Sequence, residues 1–401
     1  MQSITLKKPA PFEKYNQPVG DRYIDVLDGV RAVLVLLVGA FHIWQQSWLT
    51  PHFTLFGQRY SLDFLLRSGY IWVDGLILLS GFLLYLPYAR AEMGKMPPVG
   101  PFLLKRFLRI WPSYALNVIL FFFLAVEKYN GNGAYMAKDL VTHLTFTHTF
   151  FYDTYYGSPI NGGLWTVGVE WWFYLLFPLL GRCYKKKPML TALGMMTCAF
   201  VFRAYVSTLT DTRMWFNQLP AFLDVYALGF IGADAFVALR GKLLQSGKKE
   251  KRLFSLICLL CVILLVYIAK AQASSSGQEG IRLGQMAHRF PLALCLLVLM
   301  ISACFASAGV RFVLGNRVMR FLSAISFQFY MYHQVLCVQI RERRLIPSVS
   351  ETPNRDSEWP WQPVFTLCSF LLPILLGAIL TYGFEKPIIR YFEKMRSRKK
   401  K

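Results

Sequence analysis

The chain has 401 residues, 55% of them hydrophobic and 16% aromatic, with only 16% charged. Apolar runs of roughly 17–25 residues, the length that crosses hydrocarbon as a helix, recur along nearly all of it. That excludes an ordinary soluble domain, whose helices would each carry a polar face.

Runs without polar alternation indicate helices rather than barrel strands. In chain order, spans are expected near residues 27–47, 69–88, 110–126, 164–181, 189–206, 218–239, 253–270, 290–308, 318–340 and 363–385. The expected fold is an all-α polytopic transmembrane helical bundle of about ten spans. The net charge of +22 raises nucleic acid as a partner, but its placement accounts for it otherwise. With the N-terminus inside, 31 of the 44 Lys and Arg residues fall on inner tails and loops. This positive-inside bias predicts both termini in the cytoplasm, and no nucleic acid is needed to explain the charge.

The expected organisation is a short cytoplasmic tail (1–24), one membrane domain (25–391) and a basic cytoplasmic tail (392–401). Lys394, Arg396, Arg398 and Lys399–Lys401 in that tail suit the anionic headgroups of membrane lipids. The first span follows a polar tail and lacks a small-residue cleavage site, so it reads as retained. Two outer segments, 127–163 and 341–362, are longer than the rest and carry aromatics. The eight cysteines lie in or beside spans, and Cys258 and Cys261, within an apolar run, read as small hydrophobes. No disulfide framework and no metal site is expected.

Arg31 and His42 share the first span, eleven residues apart. Eleven residues is almost three helical turns, so both project from one face, separated by roughly 16 Å along the axis. Ionisable groups are costly inside a membrane, and the default reading of such a pair is a functional site.

Six segments in order resemble the acyltransferase type 3 family of integral membrane acyltransferases. They are LDGVRAVLVLLVGAFH with Arg31 and His42, VDGLILLSGFLL with Ser80, Gly81 and Phe82, and KRFLRIWPSYAL with Arg106 and Arg109. LWTVGVEWWFYLLFPLL with Glu170, ISFQFYMYHQV with His333 and the closing FEKPI complete the series. The resemblance runs from about Asp25 to Ile389. It departs from the family pattern at Leu76–Leu78, where paired aromatics are usual, and at Trp171, which follows Glu170 in place of a second glutamate. The resemblance implies acyl transfer from a cytoplasmic acyl-CoA, usually acetyl-CoA, to a carbohydrate hydroxyl. Acyl-CoA would be a co-substrate, with no bound cofactor. The acceptor would be a cell-surface glycan or lipid-linked sugar, and the membrane the plasma membrane.

The residues point the same way. Counted from the expected span ends, His42, Asp74, Glu170 and His333 fall within a few Å of one depth, in the outer half of the membrane. Four ionisable groups at one level predict a shared polar cavity. Arg31, Lys105, Arg106 and Arg109 fall at the inner ends of their spans, where guanidinium forks can grip the phosphates of coenzyme A. His42 is the candidate base, or a transient acyl carrier, and Glu170 or Asp74 the candidate carboxylate that orients it. His333 and Ser80 are candidate substrate contacts. Glu385 is expected to pair structurally with a nearby base, and His52, His143, His148 and His288 carry no signal. The rival class is a transporter or flippase using the same cavity. No inverted repeat or paired broken spans support it, and a phosphate clamp would serve a donor-using enzyme.

Overall fold

The computed structural model describes residues 15, 20, 23–92, 96–243 and 247–398, so most of the expected N-terminal tail and Lys399–Lys401 lie outside the described residues. Ten long helices carry the described structure. They are α1 (Asp25–Ser47), α2 (Trp72–Arg90), α3 (Val99–Leu124), α4 (Trp165–Lys186), α5 (Pro188–Ser207), α6 (Leu223–Leu243), α7 (Lys248–Ala273), α8 (Gln278–Phe305), α9 (Arg317–Glu342) and α10 (Trp361–Leu380). The protein is an all-α polytopic membrane protein. Among the described residues, nine helical stretches are long and apolar enough to cross a membrane. The exception is α9, which has 26 residues but is interrupted by Arg320, Ser323, Ser326, Gln328 and Gln334. Because α9 packs between α1 and α10, it turns those polar groups to protein rather than lipid, where they would be costly.

Two boundaries differ from the sequence expectation in the same direction. Helix α3 begins at Val99 after the extended Pro98 rather than near 110, and α8 begins at Gln278 rather than near 290. In both, charged residues occupy the first turns and depress hydropathy without breaking the helix. The consequence is that Arg106, Arg109 and Arg289 lie inside helices rather than in loops.

An exposed antiparallel hairpin, His52–Leu55 with Gln58–Ser61, projects between α1 and α2. Its two-residue turn, Phe56–Gly57, has both φ angles positive (50° and 75°), the twist that closes a tight hairpin. The outer segment before α4 folds into a short helix, Gly133–Leu144, capped by Asn132 accepting from the Tyr135 amide. Its buried Asp139 accepts from the Tyr129 and Ser158 hydroxyls, and His143 stacks on His148 at 4.2 Å.

Close helix approach, rather than hydrophobic burial, binds helices to one another where lipid is as apolar as the core. Two glycine contacts place the site. A Cβ at Gly229 would sit 2.6 Å from the Phe82 amide nitrogen, so the α2–α6 crossing needs glycine there. A Cβ at Gly39 would sit 2.7 Å from the Phe329 ring. Gly39 lies one turn before His42 and Phe329 one turn before His333, so this contact brings the two histidines together. At the far end, α10 passes through a π turn, Thr381–Glu385, into an amphipathic helix, Lys386–Arg398.

Candidate active site

Two cavities lie end to end inside the bundle. The first, about 240 Å³, is lined by Arg31 from α1, Ser80 from α2, Arg106 and Arg109 from α3, and Glu170 and Tyr174 from α4. Three guanidinium groups face one carboxylate, so the cavity suits an anion with several oxygens. Glu170 accepts hydrogen bonds from the Ser80 hydroxyl at 2.7 Å and from the Tyr174 hydroxyl one turn along α4. The Arg106 guanidinium lies 5.4 Å from the Tyr174 ring centroid and 5.5 Å from that of Phe102, whose ring meets Tyr174 edge to face. Arg106 is therefore held in the corner between two nearly perpendicular rings, inside the cavity wall.

The second cavity, about 560 Å³, contains His42 and His333, whose ring centroids are 5.2 Å apart. The His42 Nδ1 lies 3.1 Å from Gln45 Oε1, and the His333 Nδ1 lies 3.1 Å from the Phe329 carbonyl. An oxygen can only accept, so each neutral ring places its proton on Nδ1 and leaves Nε2 as a proton acceptor. The His333 Nε2 is buried and has no hydrogen-bond partner. The cavities meet at Val73 and Tyr330, which line both. At that junction the Thr166 hydroxyl donates to the Tyr330 hydroxyl at 2.9 Å.

The expected single level of four ionisable groups is corrected in two ways. Glu170 belongs with the arginines, not with the histidines, and Gln45 rather than a carboxylate orients His42. Asp74 lines neither cavity. Its carboxylate, fully buried, meets the Arg289 guanidinium at 3.3 Å. Arg289 also donates to the Phe216 and Ala221 carbonyls and to Asn217 Oδ1, over the face of Phe222. Beside it Arg203 grips Asp224 bidentately and donates to the same Ala221 carbonyl. The four charges are paired with one another inside the protein, although Asp74 Oδ1 is left without a hydrogen-bond partner. Lys105 is exposed outside the first cavity, one position off the face that carries Arg106 and Arg109. Glu385 is engaged by an amide: Gln328 donates to it at 2.9 Å and to Ser113 at 2.8 Å.

Four participants escaped the sequence reading. Gln45 and Tyr174 stand three and four residues beyond His42 and Glu170, the spacing that meets on one helix face. That signal was present. Arg289 was hidden by the misplaced start of α8, and Tyr330 had no signal beyond its place near His333.

A polytopic helical membrane bundle with an arginine-lined cavity adjoining a histidine-lined one defines the class of protein. The family model described as acyltransferase domain (type 3) matches residues 24–383, and the chain belongs to that family. A protein of Acidianus two-tailed virus named "Putative acetyltransferase ORF330" is 23% identical over 77% of this chain and 81% of its own length. "Peptidoglycan O-acetyltransferase OatA" of Listeria monocytogenes is 25% identical over 61% of this chain and 39% of its own. "Putative O-acetyltransferase SACOL0978" of Staphylococcus aureus is 20% identical over 82% of this chain. The chain spans only about half or less of the two bacterial relatives. No solved structure matches the chain.

Proposed function

We propose that this protein is a plasma-membrane O-acyltransferase that moves a short acyl group, acetyl foremost, from cytoplasmic acyl-CoA to a hydroxyl of a cell-surface glycan or lipid-linked sugar. The observation that carries this reading is the junction at Val73 and Tyr330 between the arginine cavity and the histidine cavity. The relatives support it, since their names specify acetyl transfer and one specifies peptidoglycan.

In this reading Arg31, Arg106 and Arg109 hold the phosphates of coenzyme A. Glu170 acts through Tyr174 and Ser80 to keep the clamp in shape. The thin pantetheine arm follows α1 for roughly 16 Å, from Arg31 toward His42, and carries the thioester past Tyr330. The acceptor hydroxyl enters the second cavity from the outer face. Its oxygen attacks the thioester carbonyl carbon while His42 Nε2 takes its proton. As the tetrahedral intermediate collapses, the C–S bond breaks and the imidazolium returns that proton to the departing sulfur. Gln45 holds the productive tautomer throughout, and His333 Nε2 is placed to accept from a second sugar hydroxyl.

His42→Ala removes the base while leaving the helix crossing at Gly39 untouched. Turnover by the purified variant should fall about 10²–10⁴-fold, with acyl-CoA affinity near that of the parent. Near-parental turnover would exclude His42 as the base.

A further inference from the structure

Beside the histidine cavity lies a separate pocket of about 390 Å³, roofed by the segment that joins α9 to α10. Arg341, Arg344 and Arg355 line it, with Trp48 and Trp361. Gln45 lines both this pocket and the histidine cavity, so the two are neighbours across the amide that holds His42.

The roofing segment holds acidic and basic groups, but uses them differently. Glu358 accepts from the Val349 and Ser350 amides, Asp356 from Ser350 and Thr352, and Glu342 pairs with Lys128 at 3.3 Å. These carboxylates are spent on folding the segment and tying it to a neighbour. The three arginines are exposed, and among the described residues their side chains make no hydrogen bond or ion pair. Glu351 is the one carboxylate of the pocket without such a bond. A translocated segment that keeps arginines against the positive-inside bias needs a reason, and guanidinium forks match carboxylate and phosphate oxygens. Indole rings beside them offer a flat apolar face and a polar edge.

We infer that this pocket is an acceptor subsite that recognises the anionic groups, carboxylate or phosphate, of an acidic glycan, and seats its neighbouring hydroxyl at His42. The inference rests on the proposed glycan acceptor and names its charge class. A chain gripped at Arg341, Arg344 and Arg355 would reach the base by way of Gln45, the residue the two cavities share.

The test is binding, which does not depend on turnover. The purified full chain in neutral phosphatidylcholine nanodiscs is titrated with tetragalacturonate, with its carboxyl-reduced counterpart, and with a glycerol-phosphate tetramer. At least one acidic probe should bind about tenfold tighter than the reduced one, and the one that does identifies carboxylate or phosphate as the ligand group. The combined variant Arg341→Gln/Arg344→Gln/Arg355→Gln should lose that preference, while Glu351→Gln should tighten acidic binding about two- to threefold. Equal binding of all three probes, binding of none, or an unchanged preference in the combined variant overturns the inference. So does loss of the preference in nanodiscs containing phosphatidylglycerol, which would assign the pocket to a lipid headgroup. Transfer to the reduced oligosaccharide as fast as to the acidic one would remove this subsite and leave the acyltransfer reading standing. Selective acidic binding without any acyl transfer would do the reverse.

Discussion

Asp74 and Glu170 invite comparison because the sequence presents them alike, each a lone carboxylate a turn or two into an apolar span. Asp74 ends in a fully buried pair with Arg289, every neighbouring charge matched within the protein. Glu170 ends at the wall of a cavity, held by two hydroxyls and facing three arginines that it only partly balances. Depth in the membrane does not distinguish a structural charge from a site charge. What distinguishes them is whether the surrounding charges close on themselves or leave an excess for a ligand to meet.

Three substitutions probe that distinction, the largest effect first. Asp74→Ala strands the Arg289 cation in the core, and breaking such a buried pair costs about 3–5 kcal/mol. The expected outcome is loss of folded protein, read as a large drop in thermal midpoint or in yield from membranes. The paired change Asp74→Leu/Arg289→Met leaves no uncompensated charge and should recover much of that stability. If Asp74→Ala stays fully folded but is inactive, Asp74 belongs to the chemistry and the comparison collapses.

Glu170→Gln keeps an oxygen to accept from Ser80 and Tyr174 while deleting the charge. Its thermal midpoint should stay within a few degrees of the parent, while kcat/KM falls about 10- to 100-fold, equivalent to about 1.4–2.7 kcal/mol. The loss should appear in the acyl-CoA dependence. A loss confined to acceptor KM would return Glu170 to the histidines.

Arg106→Lys is the gentlest. The ammonium keeps the charge but gives up both the guanidinium's contacts with the Phe102 and Tyr174 rings and the two-pronged grip. The KM for acyl-CoA should rise about tenfold, with little change for the acceptor. Equal changes toward both substrates would mean that Arg106 only anchors α3.

The spans were legible because apolar length has one main solution in a bilayer, and Arg31, His42 and Arg106 were legible because cations and imidazoles are conspicuous in such spans. Partnership was not. Counting residues from an estimated span end gives height but not azimuth, so Asp74 and His42 matched in height while facing different helices. The late start assigned to α8 left Arg289 unseen, and without it Asp74 had no visible partner. Lys105 shows the same limit at shorter range: it neighbours Arg106 in sequence, but one residue turns a helix by about 100°, enough to leave the cavity. The hairpin at Phe56–Gly57 was missed because its strands are four residues each and wholly exposed, giving no hydrophobic pattern to read.

The Tyr330–Thr166 contact also has an electrical meaning. In a bilayer, two water-accessible cavities placed end to end form most of a channel, and whatever separates them bears much of the membrane potential. Here that partition is one valine and one tyrosine, closed by a single hydroxyl pair. Each elementary charge that slipped through would dissipate about 2.3 kcal/mol per 100 mV. In the proposed mechanism the side chains that let a slender neutral arm pass must also act as insulation, and truncating Tyr330 should open a leak.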